Sequence, residues 1–296
     1  MLRQPTRLDY TTILFLVIIW ASAFLAIRVA VVETGPLWLA AIRVVIGFVV
    51  LLPWAIWRGF KWPHRWQDWA MIIGISILNV SAPFILISWA ELTIDAGLTS
   101  LLLGIGPLLA LTISHFFTDD DRFTLLKFVA VLLGFLGILL VIGVDALESL
   151  GTNMLAQIAV VGSSASYVVS GLMIRKIKGF PPVRLSCLVL GIASMTLIFI
   201  ALIHEGIPDA ALISSVSPKA WACLVYLGLF PTGIGYILRY RLIQAIGMSA
   251  FTLGLNLIPV FGIGMGAVLL GEQIHWSIVA ALVLIMSGLF LSRLSR

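Results

Sequence analysis

Runs of roughly 20 apolar residues, separated by short charged or Gly/Pro-rich breaks, recur along almost the whole chain, and each is long enough to cross a bilayer as one helix. Read between the breaks they give ten spans: residues 10–32, 36–57, 68–90, 94–117, 124–144, 152–174, 183–203, 218–240, 246–270 and 275–292. A chain that is 61% apolar and 10% charged cannot hide that much apolar surface in a water-soluble globule. The connections leave no room for a soluble catalytic or nucleotide-binding domain, so any energy source is a gradient or another protein.

The spans also repeat. Ser100, Gly104, Pro107, Asp121, Thr124 and Gly137 are followed about 150 residues later by Thr252, Asn256, Pro259, Glu272, His275 and Gly288 in the same order, with one gap needed between Pro107 and Asp121. Five spans per half is an odd number, so the second half enters the membrane the opposite way round. The expected fold is an all-α membrane protein of ten transmembrane helices in two inverted five-helix repeats, residues 1–146 and 147–296, around a central cavity.

Charge fixes the expected orientation. Of the eighteen Lys and Arg, only Lys219 falls clearly on the far side and only Arg28 and Arg43 fall within spans. The rest, including Arg239 and Arg241 at the end of the eighth span, lie on one side, which the positive-inside rule makes cytoplasmic, with both termini there. The net charge of +5 therefore reports topology and calls for no nucleic acid. Two arginines, an apolar run and Ala21-Ser22-Ala23 also resemble a secretory signal, but cleavage there would leave nine spans and break the match between halves. Cys187 and Cys223 both fall mid-span and read as buried small residues, with no Cys/His cluster to hold a metal.

In a bilayer the informative residue is the polar or helix-breaking one, which must be satisfied inside the bundle or by water. Trp20, Phe24 and Arg28 share one face of the first span. Arg28 can snorkel outward or face a cavity. Arg43 sits two turns inside the second span and reads either as a clamp to Glu33, Glu91 or Asp95 or as a ligand for a substrate carboxylate. Ser76, Asn79 and Pro83 form a stripe on the third span. Its counterpart, the eighth, carries Tyr226, Phe230 and Gly233 around Pro231, then Tyr236 and Tyr240, so both spans are expected to bend near mid-membrane. Ser163, Ser166, Tyr167 and Ser170 line one face of the sixth span, and Ser249, Thr252, Asn256 and Pro259 one face of the ninth.

Every Asp and Glu falls in a loop or within about a turn of a span end, so no carboxylate lies at the depth a proton relay needs. His115 and His204 stand near span ends, and no catalytic constellation, phosphate loop or metal-spaced histidine set is present. Nothing calls for a cofactor.

The ten spans, the two halves, Trp20-Ala21-Ser22-Ala23-Phe24, Arg43 and the run from Pro259 through Glu272 to Gly288 resemble the EamA-type branch of the drug/metabolite transporter superfamily. Within it the sequence is most similar to bacterial exporters of aromatic amino acids. The first repeat departs from the second at one turn, Asp120-Asp121 against Gly271-Glu272. The resemblance implies export of a small molecule across the bacterial inner membrane by alternating access, as a facilitator, with aromatic and other large neutral amino acids as substrates. Other metabolites or lipophilic drugs are the alternative cargo, and an intramembrane enzyme or lipid scramblase is the alternative class. The expected substrate-binding residues are Trp20, Phe24, Asn79, Pro83, Tyr167, Tyr226, Tyr236 and Asn256, whose aromatic faces can stack on a ring or carry an ammonium.

Overall fold

The computed structural model describes residues 3–90, 93–94, 99, 102–117, 124–142, 153–177, 179–208, 214–258, 261, 265 and 276–294, and among them there is no strand. The helices are α1 (Arg7–Thr34), α2 (Pro36–Trp57), α3 (Trp66–Ser76), α4 (Ala82–Ala90), α5 (Gly106–Phe117), α6 (Leu125–Ile142), α7 (Met154–Lys176), α8 (Pro182–His204), α9 (Pro218–Leu227), α10 (Gly235–Ile246), α11 (Met248–Leu255) and α12 (Trp276–Leu294). Two π-helical segments, Ile77–Ser81 and Gly228–Ile234, join α3 to α4 and α9 to α10 into single long rods. Among the described residues, five helical stretches are long and apolar enough to cross a membrane: Pro36–Trp57, Trp66–Ile87, Met154–Lys176, Pro182–His204 and Pro218–Ile246. The outward sides of these and of α1 and α12 carry large apolar residues in the open, such as Phe15, Val49, Met195, Phe199, Val225 and Phe290, a surface suited to lipid and not to water. The protein is a multi-pass membrane protein.

Helix starts follow local chemistry. At α1, Thr6 and Asp9 form a reciprocal capping box, and Arg3 holds the Asp9 carboxylate with a 2.8 Å hydrogen bond. That arginine first, then the Thr6 backbone and hydroxyl, hold the Asp9 carboxyl well below the usual range. Proline opens α2, α8 and α9, where the first turn has no use for its missing N–H. Gly35 and Gly247, at φ +74° and +87°, are single-residue reversals between α1 and α2 and between α10 and α11, a backbone conformation that a side chain would strain.

The packing follows the repeat. α6 lies along α12, α2 along α8, and α5 against α11, each a helix against its own counterpart in the other half. α7 packs on α3, α4 and the π segment between them, just as α1 packs on α9, α10 and the π segment between those. Close approach on the α6–α12 seam depends on glycine at equivalent places: a methyl on Gly137 would lie 3.0 Å from the Ala281 carbonyl, and one on Gly288 would lie 2.5 Å from that of Ala130. Tyr240, Leu190, Ile75, Leu16 and Val44 are fully buried where α10, α8, α3, α1 and α2 meet.

Where the third and eighth spans were expected to bend, the helices carry π turns. The eighth span runs longer than the spacing of apolar residues suggests, continuing past residue 240 to Ile246. Arg239, expected at the cytoplasmic end of that span, is therefore well within the helix and 6% exposed. Pro259, Asp121, Glu272 and the glycines at 262, 264 and 266 lie outside the described residues.

Candidate functional site

A proline cannot give an N–H back to the carbonyl four residues earlier. Pro83 thus leaves the Asn79 carbonyl without its helical donor, and the Tyr236 hydroxyl, from the other half of the chain, donates to it at 3.1 Å. The second π segment has the matching defect. The Gly235 N–H bonds to Phe230 and Thr232 and skips the Pro231 carbonyl, which accepts instead from Nε1 of Trp20 at 3.0 Å. Each loosened helix is thereby completed by an aromatic side chain of the opposite half.

The Asn79 side chain is fully buried and has both ends used. Its Nδ2 donates to the Ser170 hydroxyl at 2.6 Å, and its Oδ1 accepts from Tyr240 at 3.3 Å. The orientation of the amide is fixed by Ser170, which spends its own proton on the Tyr167 carbonyl at 2.9 Å and can therefore only accept from Asn79. Ser163 and Ser166, expected on the same polar face, turn their hydroxyls to their own helix at Ala159 and Gly162.

From the second π segment onward, Thr232, Tyr236 and Arg239 follow at i, i+4 and i+7 along one side of the rod. Thr232 accepts from Nε of Arg43 at 3.1 Å, and the Arg43 guanidinium lies over the Phe84 ring at 4.7 Å. The Arg239 guanidinium sits among three rings, 4.9 Å from the centre of Tyr167 and 5.9 Å from those of Tyr236 and Phe251. Trp20 meets Phe251 edge to face at 6.3 Å. Both guanidiniums are within electrostatic reach of the Tyr167 and Tyr236 hydroxyls.

Of the expected binding residues, the structure brings Trp20, Asn79, Pro83, Tyr167 and Tyr236 into this one region. Tyr226 lies on the same rod, ten residues before Tyr236, and faces α1, where it shares a hydrogen bond with Ser22 and stacks at a tilt on Phe230. Asn256 is buried at the end of α11 with its amide against α6, where a methyl on Gly134 would overlap it, and its Nδ2 has no partner among the described residues. The Phe24 and Arg28 side chains lie outside the described residues. Arg239, Thr232, Phe84 and Phe251 were not anticipated as part of the site. The i, i+4, i+7 spacing of Thr232, Tyr236 and Arg239 is the signal that could have found them.

One end of the bundle is held by carboxylates. Glu33, at the end of α1, accepts from the Ser217 N–H at 2.6 Å and its hydroxyl at 2.9 Å, at the start of α9. Those two donors, the N–H first, hold the Glu33 carboxyl below its ordinary range. Glu205, after α8, accepts from the first-turn N–H groups of Leu37 and Trp38 at 3.0 and 3.1 Å. Glu33 does not pair with Arg43, and Glu91 and Asp95 lie outside the described residues.

The sequence profile of the EamA-like transporter family matches residues 8–143 and again residues 154–294. The chain is 27% identical over 256 residues to the "Uncharacterized transporter YdfC" of Bacillus subtilis, covering 86% of this chain and 80% of that one. It is 26% identical to the "Probable terminal-alkyne amino-acid exporter" of Streptantibioticus cattleyicolor, covering 86% and 83%. It is also 26% identical to the "Uncharacterized inner membrane transporter YedA" of Escherichia coli K12, covering 93% and 90%. A solved crystal structure superposes with a TM-score of 0.77 at 19% identity, covering 98% of this chain and 99% of that one, so the fold is shared.

Proposed function

This chain belongs to the EamA-like transporter family, and we propose that it exports amino acids, aromatic and other large neutral ones, across the bacterial inner membrane. The observation that carries this reading is the convergence of Trp20, Tyr167 and Tyr236 with the buried amide of Asn79 at two loosened helices, one from each half. Rings stack on such walls, while amide and hydroxyl groups meet the polar end of an amino acid. The similarity to a protein named as an amino-acid exporter points the same way. Both termini are cytoplasmic in this reading, by the charge of the loops.

Transport proceeds by alternating access, residues 1–146 moving against residues 147–296, with the π segments absorbing the change in helix direction. No carboxylate among the described residues lies at depth to relay protons, so the protein works as a facilitator driven by the substrate gradient. The test is efflux of preloaded radiolabelled phenylalanine from proteoliposomes, with and without a pH gradient. Saturable efflux indifferent to the gradient and slowed by Asn79→Ala or Tyr167→Ala is the expected result. No efflux above empty liposomes, or efflux unchanged in both correctly inserted variants, would overturn the reading.

A further inference from the structure

Arg43 and Arg239 stand out because each is a cation inside the bundle with no anion to answer it among the described residues. Among the described residues the acidic side chains are Asp9, Glu33, Asp68 and Glu205, at helix starts and ends, and the one ion pair joins Arg3 to Asp9. Arg43 makes a single hydrogen bond, through Nε to Thr232. Arg239 is 6% exposed and its Nε has no hydrogen-bond partner among the described residues. The rings of Tyr167, Tyr236 and Phe251 offset part of the charge but accept none of its N–H groups. Leaving the buried Arg239 guanidinium short of acceptors is costly, and with the half-buried Arg43 held by one hydrogen bond beside the same two tyrosines, the site is completed by something that arrives.

We propose that Arg43 and Arg239 form an anion site, and that the transported molecule is recognised through a carboxylate placed between them, its apolar or aromatic part lying against Tyr167, Tyr236 and Phe251. This rests on the transporter reading above and narrows it. The recognised class is the organic carboxylate, with or without an ammonium group, and lipophilic cations are excluded by charge. A carboxylate fits the guanidinium fork with two parallel N–H···O bonds, and the Tyr236 hydroxyl, now bound to the Asn79 carbonyl, lies beside the same place. Filling the site thus touches the bond that completes the first π segment, which links recognition to the helix that bends.

The test is thermal unfolding of the purified protein with three ligands of one size: phenylalanine, 3-phenylpropionate, which keeps only the carboxylate, and phenethylamine, which keeps only the ammonium. Saturable stabilisation by phenylpropionate and phenylalanine, with none by phenethylamine, is the expected pattern in the unaltered protein. Arg239→Gln and Arg43→Gln should each weaken phenylpropionate binding by about tenfold or more, the loss of a charge-assisted contact, with Arg239→Lys in between. Stabilisation by the amine, or none by phenylpropionate, would overturn the proposal without any variant, as would full binding in folded Arg239→Gln and Arg43→Gln proteins. If phenylpropionate binds while phenylalanine is not exported, the amino-acid reading fails and the anion site stands. If phenylalanine is exported but only the amine binds, the anion site fails and the exporter stands.

Discussion

Nε1 of Trp20 lies 3.0 Å from the carbonyl of Pro231, 211 residues away, and completes the π segment that interrupts the eighth span. Trp20→Phe keeps an aromatic ring but removes the donor together with the smaller ring of the indole. The carbonyl is then left unpaired, at a cost of about 1–3 kcal/mol. Thermal unfolding in detergent should show the loss, and phenylalanine efflux should slow further than in Trp54→Phe, a substitution on the lipid-facing side.

The Asn79 amide gives a sharper test through its two partners, Ser170 and Tyr240. Ser170→Ala and Tyr240→Phe should each destabilise by about 1 kcal/mol, and the double variant by less than their sum, since the first loss already frees the amide to turn. Additive losses in a double-mutant cycle would show that the amide does not couple the two helices.

The α6–α12 seam predicts an asymmetry between equivalent glycines. A methyl on Gly288 meets the backbone of Ala130, which yields only if α6 moves, whereas the tightest contact of one on Gly137 is the movable Ile285 side chain at 2.7 Å. Gly288→Ala should therefore cost more than Gly137→Ala, with overpacking penalties of about 1–3 kcal/mol. Unfolding temperatures of the two single variants decide it.

The Glu33 clasp predicts a pH dependence. Because the folded protein holds this carboxyl below its ordinary value, the clasp contributes fully above about pH 4.3, the value of a free glutamate, and is lost as pH falls through the lower clasped value. The unfolding temperature of Glu33→Gln should thus lie below that of the parent at neutral pH, and the gap should close on acidification. A gap that widens in acid would reverse the sign and refute the assignment.

The helical architecture was legible because bilayer physics leaves few choices: apolar runs of spanning length and breaks near Pro83 and Pro231 define the rods and where they loosen. What the breaks are joined to was not legible. Tyr236 finds Asn79 across 157 residues, and nothing local encodes that pairing. Arg239 was misplaced for a related reason. A hydropathy reading closes the span where charges begin, near Arg239 and Arg241, while an aromatic cage shelters Arg239 in a helix that runs on to Ile246. Glu33 was a reasonable partner for Arg43 by sequence distance, but the start of α9 offered it two donors closer at hand.

The pairing of α6 with α12, α2 with α8 and α5 with α11 resembles the joint of a two-fold dimer, in which every feature on one side must appear on the other. In the register that sets Pro107 opposite Pro259, Arg43 corresponds to Met195 and Arg239 to Ile87. A true dimer of one half could hold these arginines only in duplicate, crowding four like charges about its axis. Fusing the halves into one gene removes that obligation, so a symmetric scaffold can carry a pair of arginines with no image on the other side.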